Sequence, residues 1–181
     1  FTAELRRGIE AGIEAMGDKL RPGVKVAVGV TDSTRPTPNH VIVPEVLRGL
    51  RSRGVGLDDV TVIVATGMHD PDPPEVLRER LGEDVLRSVK VLNNSPRDPS
   101  SMVGLGETKL GTPIEVHRVF AEAEVRITAS SITPCMLAGW SGGGKMVMPG
   151  VSSRRSIHEN HKLFVRNVRR FGRGAMFGIM E

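Results

Sequence analysis

Short β-rich runs that alternate with stretches of helical periodicity constrain this chain more than any other feature. Residues 24–30 (VKVAVGV) and 60–65 (VTVIVA) are the clearest runs, and weaker ones follow at 88–92 and 125–129. Leu5, Ile9, Ile13, Met16 and Leu20 recur every three or four positions with charged residues between them, so residues 3–20 read as an amphipathic helix ended by Arg21-Pro22-Gly23. Residues 44–52, with Val43, Val46, Leu47 and Leu50 along one face, and residues 74–81 read as two more helices. Strands and helices alternating at this spacing predict an α/β fold, a mostly parallel sheet flanked by helices. Residues 102–119 break the pattern: their Gly-Glu-Thr and Gly-Thr-Pro punctuation predicts a β-hairpin-like excursion. No repeat or linker divides the chain, and 181 residues suit one domain.

Composition narrows the function classes. Five Phe, one Trp and no Tyr leave little surface for stacking exposed bases, so nucleic acid is an unfavoured partner. With 21 Gly and 12 Pro the chain is rich in turns and in sites shaped by backbone. The net charge of +4 is unevenly spread: residues 154–173 hold seven Lys or Arg against the single acid Glu159, a local +6 on a body of −2. Such a segment suits nucleic acid, a phosphate-bearing ligand or an acidic partner, and equally a solvated helix face. One cysteine, Cys135, excludes an intrachain disulfide and fits a reducing, cytoplasmic setting. Apolar runs of about seven residues are far short of a membrane span. The chain opens on Phe1 without Met and stops just after an apolar stretch, which leads us to expect a fragment.

In open α/β sheets ligands bind beyond the carboxyl ends of the strands. Here those positions are crowded with polar groups. Thr31-Asp32-Ser33-Thr34-Arg35-Pro36-Thr37-Pro38 follows the first run, Thr66-Gly67-Met68-His69-Asp70-Pro71 the second, and Asn93-Asn94-Ser95 the third. The segment from Ser130 through Cys135 to Lys145 follows the fourth. Hydrophilic turns and helix caps would account for Asp32, Thr37 and Asn93, but not for the glycines Gly142, Gly143 and Gly144. A site on this rim is therefore expected.

The run Gly139-Trp140-Ser141-Gly142-Gly143-Gly144-Lys145-Met146 satisfies GxxxxGK, yet Met146 stands where a phosphate-binding loop needs a hydroxyl for Mg²⁺, and Pro149 prevents an ordinary helix from following. A nucleotide triphosphatase is disfavoured. The glycines still imply close backbone approach to a ligand, with Lys145 a reachable amine. Among the histidines, His161 fills the gap in the stripe Ile157, Phe164, Val168, Phe171 and so faces inward, either as a core residue or as a metal ligand. His158, one turn earlier, lies near the same face, and the pair has chelating spacing.

Residues 130–150 (SSITPCMLAGWSGGGKMVMPG) resemble the signature of the nickel-pincer-dependent lactate racemase family, as do Asp32-Ser33-Thr34-Arg35-Pro36, Gly67-Met68-His69 and Asn160-His161, in order and spacing over nearly the whole chain. The resemblance implies that residues 1–181 form the N-terminal, cofactor-binding domain, incomplete at its start, of a two-domain protein whose second domain lies outside this sequence. It also implies a racemase or epimerase acting on a small 2-hydroxy acid by hydride transfer. The cofactor would be nickel held by a pyridinium-3,5-bisthiocarboxylic acid mononucleotide, the nickel-pincer nucleotide, tethered to Lys145. His161 would be the protein ligand to nickel, a metal that neutral imidazole suits. By the same resemblance His69 is an acid/base group, Arg35 anchors the substrate carboxylate, and Asp32 holds the cofactor ribose. The 142–144 glycine backbone, with Thr34 or Ser141, binds the phosphate.

One position departs from the family. Where lactate racemases carry a second acid/base histidine in a Pro-His context, this chain has Pro134-Cys135. A thiol acts there only if its surroundings lower its pKa or the reaction tolerates a weaker base. Cys135 thus replaces histidine for a different substrate, leaves a single base, marks a cofactor binder, or is merely a small buried thiol. A racemase or epimerase of some 2-hydroxy acid is favoured over lactate racemase itself, and the chain alone is expected to be inactive. The contrasting reading is a nickel-free α/β module binding phosphate or nucleic acid through residues 154–173.

Overall fold

A computed structural model describes residues 2–135 and 138–171, with side chains as far as Arg166. Helix α1 (Thr2–Ala15) is shorter than its periodicity predicts, because Met16 passes into a 3-10 turn at Gly17–Lys19. Strand β1 (Val26–Thr31) follows. Helix α2 (Asn39–Ser52) starts before Pro44, the expected first residue, and carries that proline inside. The buried Asn39 fixes the earlier start, its amide donating to the Thr31 carbonyl at 2.8 Å. Strand β2 (Val60–Ala65), helix α3 (Pro74–Leu81), helix α4 (Glu83–Ser88) and strand β3 (Lys90–Asn93) complete the first half. The six-residue α4, entered through Gly82 at φ +86°, is too short to show a helical period, and it moves β3 two residues beyond its expected start.

The predicted excursion is an antiparallel hairpin of β4 (Met102–Glu107) and β5 (Pro113–His117), followed by the short helix α5 (Arg118–Glu122). Strand β6 (Val125–Ala129) returns to the main sheet. Two-residue strands β7 (Pro134–Cys135) and β8 (Gly139–Trp140) pair as a minimal antiparallel hairpin, and a 3-10 turn spans Gly143–Met146. Helix α6 (Arg154–Phe171) closes the described chain. The side chains of Val168 and Phe171 in its apolar stripe, those of Arg169 and Arg170, and all of Arg173 lie outside the described residues.

The main sheet is wholly parallel, in the order β3-β2-β1-β6, with Val28 of β1 opposite Val62 on one side and Ile127 on the other. Alternate residues of β1 serve two cores. Val26, Val28 and Val30 pack with Ile13, Val43, Leu47 and Leu50 of α1 and α2, while Ala27 belongs to a second cluster with Ile63, Val116, Phe120 and Val151. Chain order runs from β1 outward to β3 and then crosses to β6, so the switch point lies at the carboxyl ends of β1 and its neighbours. Among the described residues no helix is long and apolar enough to cross a membrane.

Candidate active site

A cavity of about 270 Å³ opens at that switch point, lined by residues following β1, β2 and β6 and by the inner face of α6. Arg35, His69, Cys135, Ser141, Gly142, Lys145 and His161 all border it, so seven of the sequence candidates, drawn from four segments, meet in one space. Asp32, an eighth candidate, lines it as well. Thr34, Gly143 and Gly144 are not among its lining residues. The His158–His161 pair is not brought together either: His158 is exposed and borders a separate groove with Arg97, Arg154 and Glu115.

Buried hydrogen bonds fix the strand-end loops. Asp32, 3% exposed, accepts from the Thr34 backbone N–H (3.3 Å) and hydroxyl (2.7 Å) through Oδ1, and its Oδ2 lies 2.5 Å from His69 Nδ1. Behind it Arg80 donates to the Asp32 carbonyl at 3.1 Å. The buried Asp72 carboxylate accepts from the Ser33 N–H (3.0 Å) and hydroxyl (2.6 Å), while Asn93 clamps the Asp72 backbone with two bonds of 3.0 Å. Asp72 and Arg80 were not candidates from sequence. The Asp70-Pro71 turn signal beside His69 was the available hint to Asp72, and Arg80 on α3 carries no local signal.

The loops after β2 and before α6 interlock through glycine. Gly67, at φ +58°, donates its N–H to the Gly150 carbonyl at 2.9 Å. A Cβ on Gly150 would fall 2.2 Å from the Met146 carbonyl oxygen and 2.9 Å from Ala65 Cβ, so the crossing tolerates no side chain. Gly142 is equally restricted, at φ +76° with a Cβ position 2.8 Å from Ser130 Oγ. The Ser141 hydroxyl is engaged within the loop, donating to the Ser131 carbonyl (3.2 Å) and accepting from the Thr133 N–H (2.8 Å).

The ionisable groups differ in their surroundings. Lys145 Nζ donates to Cys135 Sγ at 3.0 Å, joining the tether candidate to the departing residue. Arg35 is exposed at the cavity edge with no side-chain partner among the described residues, which leaves its guanidinium available for an anion. The His161 pKa is pushed below the ordinary imidazole value, first by burial and then by repulsion from Lys145 and His158, which favours the neutral form that ligates. Asn160 beside it is 1% exposed, with neither amide atom bonded among the described residues. Among these residues no three or more His, Cys, Asp or Glu side chains converge on a metal position.

Residues 3–172 match the family described as the lactate racemase N-terminal domain. The chain is 36% identical over 151 residues to the lactate racemase of Lactiplantibacillus plantarum, covering 83% of this chain and 35% of that protein. It is 26% identical over 166 residues to the lactate racemase of Thermoanaerobacterium thermosaccharolyticum, covering 90% and 39% respectively. The structure of the lactate racemase apoprotein from T. thermosaccharolyticum superposes with a TM-score of 0.76 at 25% identity, over 88% of this chain and 40% of that one. A Thermotoga maritima protein shares the fold, with a TM-score of 0.72 at 24% identity over 87% and 40%. The chain thus spans little more than a third of the length of the curated relatives it matches.

Proposed function

The chain belongs to the lactate racemase N-terminal domain family, and on that premise we propose that it is the cofactor-holding part of a racemase or epimerase of a 2-hydroxy acid. Lys145 and His161 would hold a nickel-pincer nucleotide, which would supply hydride-transfer chemistry there. The observation that carries this reading is the meeting of the Lys145 amine, the His161 imidazole, His69 and the exposed Arg35 on one cavity. The residues fit the group. A single inward imidazole suits a metal whose other donors are organic, and the Lys145 amine reaches the same cavity.

When bound, the group supplies the hydride-accepting centre; the rest falls to the chain. Arg35 holds the substrate carboxylate through its guanidinium fork and so sets which end of the acid enters. His69 takes the hydroxyl proton as the carbinol is oxidised and returns it when the keto acid is reduced again. Cys135, against Lys145 Nζ, stands where a second proton-transfer group is expected, and a thiol there in place of imidazole favours a 2-hydroxy acid other than lactate. Gly142 brings the loop backbone to the cavity wall beside Lys145. The remainder of a racemase-length protein covers the cavity, and the lone chain is inactive.

The test is racemisation of enantiopure 2-hydroxy acids by a racemase-length protein co-expressed with the cofactor-making enzymes. We expect inversion with deuterium at C2 retained, since the hydrogen leaves and returns as hydride; wash-out of the label into water would contradict hydride transfer. The basic-segment alternative has less support: Arg155 is paired with Glu115 (2.8 Å) and Lys162 with Glu159 (2.7 Å), which is how a solvated helix face looks.

A further inference from the structure

The family resemblance places Asp32 at the cofactor ribose, and its carboxylate is also bonded within the protein. Its side chain is only 4% exposed. Oδ1 accepts two hydrogen bonds from Thr34, and Oδ2 lies 2.5 Å from His69 Nδ1. The His69 ring, by contrast, is 47% exposed at the cavity edge. We propose that Asp32 is a positioning residue that fixes His69 as the Nδ1–H tautomer and turns Nε2, with its lone pair, toward the substrate.

The chemistry follows from what each atom can do. A carboxylate only accepts, so the ring nitrogen facing Oδ2 must be the donor, and in a neutral imidazole the other nitrogen is then the base. The substrate hydroxyl proton moves to Nε2, giving an imidazolium whose Nδ1–H stays on Asp32, and the same proton returns from Nε2 when the hydroxyl is re-formed. Thr34 is the second support. By occupying Oδ1 with its N–H and hydroxyl it holds the carboxylate plane, and so the ring, at one angle. Thr34 therefore belongs to the site without bordering the cavity. The Arg80 bond to the Asp32 carbonyl anchors the same residue from behind.

The catalytic consequence rests on the racemase reading; the tautomer does not. Long-range proton–nitrogen NMR of the chain, at a pH where the rings are neutral, reads the tautomer directly, with His69→Gln identifying the signal by its loss. The expected result is a protonated Nδ1 and a bare Nε2 on His69, opposite to the usual preference of exposed histidines, and a shift toward Nε2–H in Asp32→Asn. A protonated Nε2 on His69 in the wild-type chain overturns the proposal without any variant. In the racemase-length protein Asp32→Asn should lower kcat per loaded site by at least about 100-fold with KM little changed, with cofactor loading read separately by intact mass. Loss of the cofactor with kcat per loaded site unchanged makes Asp32 a cofactor residue and overturns the proposal. Absence of racemisation in the wild type defeats the racemase reading alone and leaves the tautomer result standing.

Discussion

On one side of the cavity Asp32, Thr66 and Gly150 are buried beneath strand ends, and their loops are bonded to one another across β1, β2 and the approach to α6. On the other side the β7–β8 hairpin carries Ile132 just ahead of it and Trp140 within it, 72% and 62% exposed. On the proposed reading the contrast separates two tasks. Proton transfer and metal ligation need groups held at fixed angles, which buried hydrogen bonds supply. A wall with large apolar side chains in water gains most from being covered, as the greater length of the racemase relatives allows.

The largest break in this contrast should come from Gly150→Ala. The added Cβ collides with backbone rather than with a movable side chain, so stability should fall by about 3 kcal/mol or the chain should fail to fold. Urea unfolding measures it, and a wild-type midpoint would mean the two loops do not cross so closely. Next is Asp72→Ala, which leaves the Ser33 N–H and hydroxyl without their acceptor and frees the rim loops at a cost of about 2 kcal/mol. A change under about 0.5 kcal/mol, the range of ordinary surface substitutions, would show that the clamp holds nothing.

Acid should weaken the buried side. Burial lowers the pKa of His117, as it does that of His161, so each folded ring binds its proton less readily than the unfolded chain does. Their contribution is full above the unfolded value of about 6.5 and is lost as pH falls from there toward the folded values. His117→Gln should flatten that part of the stability–pH curve; an unchanged curve would count against His117 as a source. The smallest effect belongs to the open wall. Trp140→Ala should change the stability of this chain by less than about 0.5 kcal/mol, yet reduce turnover in a racemase-length protein. A large loss of stability would mean the tryptophan is packed rather than presented.

The layout was legible where a period or a positional rule applies. The valine-rich runs became β1 and β2 because continuous apolar stretches suit a buried parallel sheet, and a cavity lies at the strand ends, where that rule places a ligand. Contacts made only by folding were not legible. Asp32 meets His69 across 37 positions and Asp72 meets Asn93 across 21, and neither pairing has a local signature. Helix α2 begins at Asn39 because of a tertiary bond to Thr31, whereas proline's preference for a first helical turn pointed to Pro44. His158 and His161 share a spacing but not a cavity, since only the face carrying Ile157 and His161 turns toward β1 and β2.

The central claim is that Lys145 and His161 together hold the reactive group. Intact mass and metal analysis of a racemase-length protein, co-expressed with the cofactor-making enzymes, tests it most directly. The account predicts an adduct that maps to Lys145 with stoichiometric nickel, absent in Lys145→Ala and with nickel weakened in His161→Ala. An unmodified Lys145 without nickel would contradict it.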